Sequence, residues 1–182
     1  FEYLPLNFWE KHAEQTNLYS VQTRNHRLVN TTAEELIHLA EIHLMMGCLG
    51  YPQCKMYWQC DTAVPVINNC MPRDRFFELR SNVHFVDNEG VHEETDRLWK
   101  VRPLIDCVRQ KCLTLLRPNH VSLDEQMVPF SGNCLIRQYV PNPLGLKCFV
   151  LAAPDGLVLD FHFYTVSDAD MKELGLGASV VK

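Results

Sequence analysis

The hydrophobic period of this chain changes once, near Asn119, and that switch narrows the folds open to it. Before it, apolar residues recur at helical spacing; after it, they alternate or run in short blocks like strands. Thr32-Ala33-Glu34-Glu35 reads as a capping box, in which the Thr32 hydroxyl bonds the Glu35 amide and the Glu35 carboxylate reaches back. Leu36, Ile37, Leu39, Ala40, Leu44 and Met45 mark the face of the helix behind it. Gly47, Gly50 and Tyr51-Pro52 supply its stop. A second helix is expected from near Pro72, carrying Phe76, Phe77, Leu79, Val83 and Phe85. A polar loop follows at Val86–His92. A third helix follows Pro103, with Leu104, Ile105, Val108, Cys112, Leu115 and Leu116 at helical spacing.

Beyond Asn119, His120 to Asp124 reads as a strand extended by Met127-Val128-Pro129-Phe130, and Ser131-Gly132-Asn133 as a turn. A second strand is expected within Leu135–Val140. Lys147 to Ala153 and Leu157 to Tyr164, joined by Pro154-Asp155-Gly156, give a strong hairpin signal. Asp168 to Lys182 reads as the first turns of a helix. The expected class is therefore α+β: a helical module over 1–118, then over 119–182 the opening strands of a sheet too incomplete to cover both of its faces.

Composition excludes several classes. Hydrophobic residues make up 47% and charged residues 21%, the balance of a globular chain with a core. No run approaches the roughly 20 apolar residues of a membrane span. The N-terminus lacks the basic region of a signal peptide, and the missing initiator Met implies a chain cut from something longer. Net charge is −5, so any nucleic-acid binding must rest on local basic clusters. The eight cysteines contain no C-x-x-C pair and match no common zinc spacing, which favours reduced intracellular thiols.

The sharpest chemical feature is the carboxylate pair Asp124-Glu125 on an apolar strand. Strand alternation sends the two to opposite faces, so only one can enter a shared pocket. Taken alone, such an acid reads as a solvated strand edge or a turn cap. Seven ordered segments add to this: Gln15-Thr16-Asn17-Leu18-Tyr19; Leu44-Met45-Met46-Gly47; Tyr57-Trp58; Met71 to Phe76 with His84 to Asn88; Lys100 to Leu104; Leu123 to Gly132; and Gln138 to Pro143 with Gly145-Leu146-Lys147. In that order and spacing the chain resembles piggyBac transposases and the proteins derived from them.

The resemblance implies a helical dimerisation and DNA-binding domain, then an RNase H-like core of the DDE/DDD type. Asp124 matches the first catalytic, metal-binding aspartate of that core. The implied activity is cut-and-paste transposition with Mg²⁺ or Mn²⁺, two ions about 3.5–4 Å apart activating the nucleophile and stabilising the leaving oxygen. The implied partners are DNA (transposon ends or chromatin) and a second copy as a homodimer, with no membrane and no small-molecule substrate. The implied location is the nucleus. The family's other two aspartates are expected beyond Lys182, so this chain alone is expected to be inactive and to hold metal weakly. Two departures remove positive charge: Asn133 stands where the family has a basic residue, and Asn142-Pro143 lacks an intervening lysine.

Lys100, Arg102, Arg137 and Lys147 are the candidate DNA contacts, through the phosphate backbone. For Lys100, Arg102, Arg109, Lys111 and Arg117 the competing reading is a solvated helix face with ion pairs to Asp96 or Asp106. The aromatic set Tyr57, Trp58, Phe76, Phe77 and Phe85 reads as core. Two alternatives stand beside the enzyme: a domesticated DNA-, chromatin- or protein-binding module without enzymatic activity, and a partial product that folds poorly.

Overall fold

A computed structural model describes residues 3–23, 28–90, 96–130 and 145–164. The chain forms two compact units, Phe1–Val91 and His92–Lys182. The first holds α1 (Leu6–Gln22), α2 (Ala33–Leu49), a 3₁₀ turn (Cys54–Trp58), α3 (Pro65–Cys70) and α4 (Arg73–Asn82). The second holds α5 (Arg102–Leu113), β1 (Ser122–Pro129), β2 (Gly145–Ala152) and β3 (Val158–Phe163). Helices with a small three-stranded sheet make the α+β class correct. The switch from helix to strand at 118/119 lies inside the second unit, because α5 packs on β3.

In the first unit, α1 packs on α2 and α4, and α2 on α4. The expected capping box starts α2: Thr32 Oγ accepts from the Glu35 amide at 3.3 Å. Gly50 ends it in the left-handed region (φ 64°), where a side chain would be strained, and its amide donates to the Met46 carbonyl. Leu36, Leu39 and Ile42 are the buried face. Arg75 of α4 ties the start of α2 in place, meeting Glu35 at 2.6 Å and Glu78 at 2.9 Å and donating to the Val29 carbonyl. The Arg75 guanidinium, helped by the Thr31 hydroxyl and the Thr32 amide, holds the Glu35 carboxyl below its usual range against the opposing effect of burial. Tyr57 and Phe76 are fully buried, as expected of core aromatics. Phe85 lies beyond the end of α4 and packs instead against Phe8 and His12 of α1.

In the second unit, Asp96 organises the entry to α5. Its carboxylate accepts from the Leu98 amide and grips Arg102 bidentately at 2.6 and 2.8 Å. Pro103 sits in the first turn, where a missing N–H costs nothing. The helix stops at Leu113, short of the expected Leu115 and Leu116. The Thr114 amide turns back to the Lys111 carbonyl, and Leu116 is 95% exposed.

The sheet runs β1-β2-β3, all antiparallel. The expected hairpin is β2–β3, turned by Gly156 at φ 89°, with the Asp155 carboxylate accepting from the Leu157 amide. One residue of β3 is extra: Leu151 faces Asp160 while Ala152 faces Val158, so Leu159 bulges, fully buried. The strand expected within 135–140, the helix expected from Asp168, and Asn133, Arg137, Asn142 and Pro143 lie outside the described residues.

Candidate functional site

Register decides what surrounds Asp124. Asp124 faces Val150, which faces Phe161; one residue away, Leu123 faces Leu151, which faces Asp160. Directly paired residues share a face and successive residues alternate, so Asp124 and Glu125 lie on opposite faces, as strand periodicity required. Ser122, Asp124, Gln126 and Val128 form one exposed row. Asp124 Oδ1 accepts from the amide of Glu125 at 2.7 Å. Its Oδ2 has no partner among the described residues.

The other face is occupied by ion pairs. Glu125 meets Lys147 Nζ at 2.6 Å, and that ammonium also lies 5.1 Å from the centre of the buried Phe149 ring. Arg109 of α5 donates to Asp160 twice, Nε to Oδ1 at 2.7 Å and Nη2 to Oδ2 at 3.2 Å. Burial pushes the Asp160 carboxyl up, but the Arg109 guanidinium, the Phe161 amide and Arg117 outweigh it, leaving a net downward shift. Burial pushes the thiols of Cys112 and Cys148 up, so neither is a ready thiolate. All seven described cysteines are free.

The candidate phosphate contacts are not equivalent. Lys100 is exposed, with its ammonium 5.2 Å from the Trp99 ring centre. Arg102 is held by Asp96, one of the two acids its competing reading named. Lys147 has a side chain only 15% exposed and lies on the face opposite Asp124. Arg137 lies outside the described residues. Linear reading missed two ion pairs. Arg109 and Asp160 are 51 residues apart, with nothing in either's neighbours to announce the other. Glu125 and Lys147 become neighbours only once the β1–β2 register is known.

As a hard oxygen donor, Asp124 fits Mg²⁺ or Mn²⁺. Among the described residues, however, no group of three His, Cys, Asp or Glu could hold a metal ion, so Asp124 is one fitting ligand and not a completed site. No described helix is long and apolar enough to cross a membrane.

The family model described as transposase IS4 matches residues 2–182. The chain belongs to the piggyBac family of transposases. It is 31% identical over 175 residues to the human piggyBac transposable element-derived protein 3, covering 91% of this chain and 29% of that protein. It is also 31% identical over 180 residues to the human piggyBac transposable element-derived protein 2, covering 92% of this chain and 29% of the relative. The piggyBac chain thus spans under a third of the length of these curated relatives. No solved structure matches it. Membership in a DDE-type transposase family implies divalent-metal use for the family.

Proposed function

We propose that Asp124 is the first metal-binding aspartate of a DDE/DDD centre that cuts and joins DNA strands, carried on the first strand of an RNase H-like sheet. Residues 1–118 supply DNA binding and dimerisation, 119–182 belong to the catalytic core, and the protein acts on DNA in the nucleus. The observation that supports this most is the placement of Asp124 on the exposed row of β1, with one carboxylate oxygen uncommitted among the described residues. A ligand to Mg²⁺ or Mn²⁺ needs that presentation. A carboxylate engaged like Asp160, by two guanidinium donors, would have to give them up first.

One carboxylate cannot hold two ions, so the 182-residue chain by itself is expected not to cleave DNA. Titrating Mn²⁺ into the isotopically labelled chain tests the site: paramagnetic broadening should centre on Asp124 and vanish in Asp124→Asn. Broadening that survives Asp124→Asn sinks the assignment. Mg²⁺- or Mn²⁺-dependent cleavage lost in Asp124→Ala would support the site and refute the inactivity.

A second reading is a domesticated binding module that no longer cuts. It is favoured by the commitment of Arg102 and Lys147 to carboxylates of this chain, which leaves fewer cations for phosphates. Duplex-DNA affinity against salt separates the two. Each phosphate contact adds about 0.9 to the logarithmic slope, so a nearly flat dependence favours a protein partner.

A further inference from the structure

We propose that Lys147 is a positioning residue: paired with Glu125, it locks the register of β1 on β2 and thereby decides which face of the sheet Asp124 occupies. This rests on the reading of Asp124 as a metal ligand, but the lock itself stands on geometry. Among the described residues β1 is an edge strand, paired only with β2. Only Leu123 and Met127 of its eight residues are half-buried and the rest are exposed, so apolar burial pins the strand weakly. A one-residue slip of such a strand sends every side chain to the other face.

The polar lock supplies what the apolar pattern lacks. Lys147 pairs with Met127 and Glu125 with Phe149, so Lys147 and Glu125 are diagonal neighbours on one face. The Lys147 ammonium is drawn over the face of the buried Phe149 ring and ends 2.6 Å from Glu125. Phe149 is the residue that faces Glu125, so the cation waits where Glu125 arrives in the native register alone. In the register slipped by one residue with Asp124 opposite Phe149, Lys147 would meet Asp124 instead, and the carboxylate would leave the exposed row. The pair therefore does two things: it holds Glu125, and it keeps the Lys147 ammonium from capturing Asp124.

Cross-strand contacts from β1 to β2 in nuclear magnetic resonance spectra of the 182-residue chain test this directly. In the wild type, Asp124 contacts Val150. In Glu125→Gln and in Lys147→Met, the β1 amides should exchange about two- to fivefold faster, and a second set of β1 resonances should appear with Asp124 opposite Phe149. The charge-swapped Glu125→Lys/Lys147→Glu chain should return to one set, a rescue that a residue serving bulk stability alone would not give. Single variants that keep one set with Asp124 opposite Val150 and wild-type exchange overturn the proposal. If the single variants lose the sheet altogether, the swap still decides: a swap that does not restore the native register overturns it. Mn²⁺ broadening is read in the same samples. Its absence at Asp124 in the wild type removes the metal-ligand reading and leaves the register result intact.

Discussion

The Arg109–Asp160 pair fastens α5 to β3, and its removal should have a size and an order readable from exposure. The Asp160 side chain is 21% exposed and that of Arg109 40% exposed. Arg109→Met leaves a mostly buried carboxylate with the Phe161 amide and the more distant charge of Arg117, and should cost about 1–2 kcal/mol. Asp160→Asn leaves a guanidinium that can swing into water and keeps a hydrogen-bonding side chain, so it should cost about 0.5–1 kcal/mol. The cycle completed by the double variant should give a coupling of about 1 kcal/mol. Urea titration followed at the Trp99 indole resonance reports on this unit separately from the first, which matters because a chain of two units need not unfold in one step. The pH dependence has a defined sign. The folded Asp160 carboxyl lies below its ordinary value, so the stability it contributes is fully present above the unfolded value of about 3.9 and is lost as pH falls through the lower folded value. The gap between wild type and Asp160→Asn should hold from pH 7 to about 5 and close below about 4. A coupling under about 0.3 kcal/mol, or Asp160→Asn costing more than Arg109→Met, would refute the reasoning.

Two other outcomes follow from close contacts and burial. A Cβ at Gly145 would clash with the Val128 carbonyl oxygen and come 2.9 Å from its carbon, so Gly145→Ala should cost about 1–3 kcal/mol and loosen the β1–β2 end, seen as faster amide exchange at Val128. His12 is buried between Phe8 and Phe85, its Nδ1 on the Phe8 carbonyl. Burial, helped by Lys11, lowers its folded value, so the unfolded chain binds the proton first. Stability of the first unit should therefore fall as pH drops below about 6.5, and thermal unfolding of His12→Phe should lose much of that slope between pH 7.5 and 5.5.

Local chemistry made several elements legible. The Thr32 cap, the Gly50 stop, the Pro103 start and the Asp155-Gly156 turn depend on residues within one turn of each other. The opposition of Asp124 and Glu125 needed only the two-residue strand period. Helix ends blurred where hydrophobic spacing outran the helix: Phe85 and Leu116 keep the period but lie past α4 and α5.

The sequence by itself determined the family, the α+β order of elements and the strand that carries Asp124. Tertiary structure alone decided which charges are free. Arg102, Arg109 and Lys147 look alike as basic residues near the strand of Asp124, yet each is closed by a carboxylate of the same unit. Two of those carboxylates were beyond linear reading because helix packing brings Asp160 to α5 and strand register brings Glu125 to Lys147. Such pairs are set by long-range geometry, which no local pattern of residues encodes.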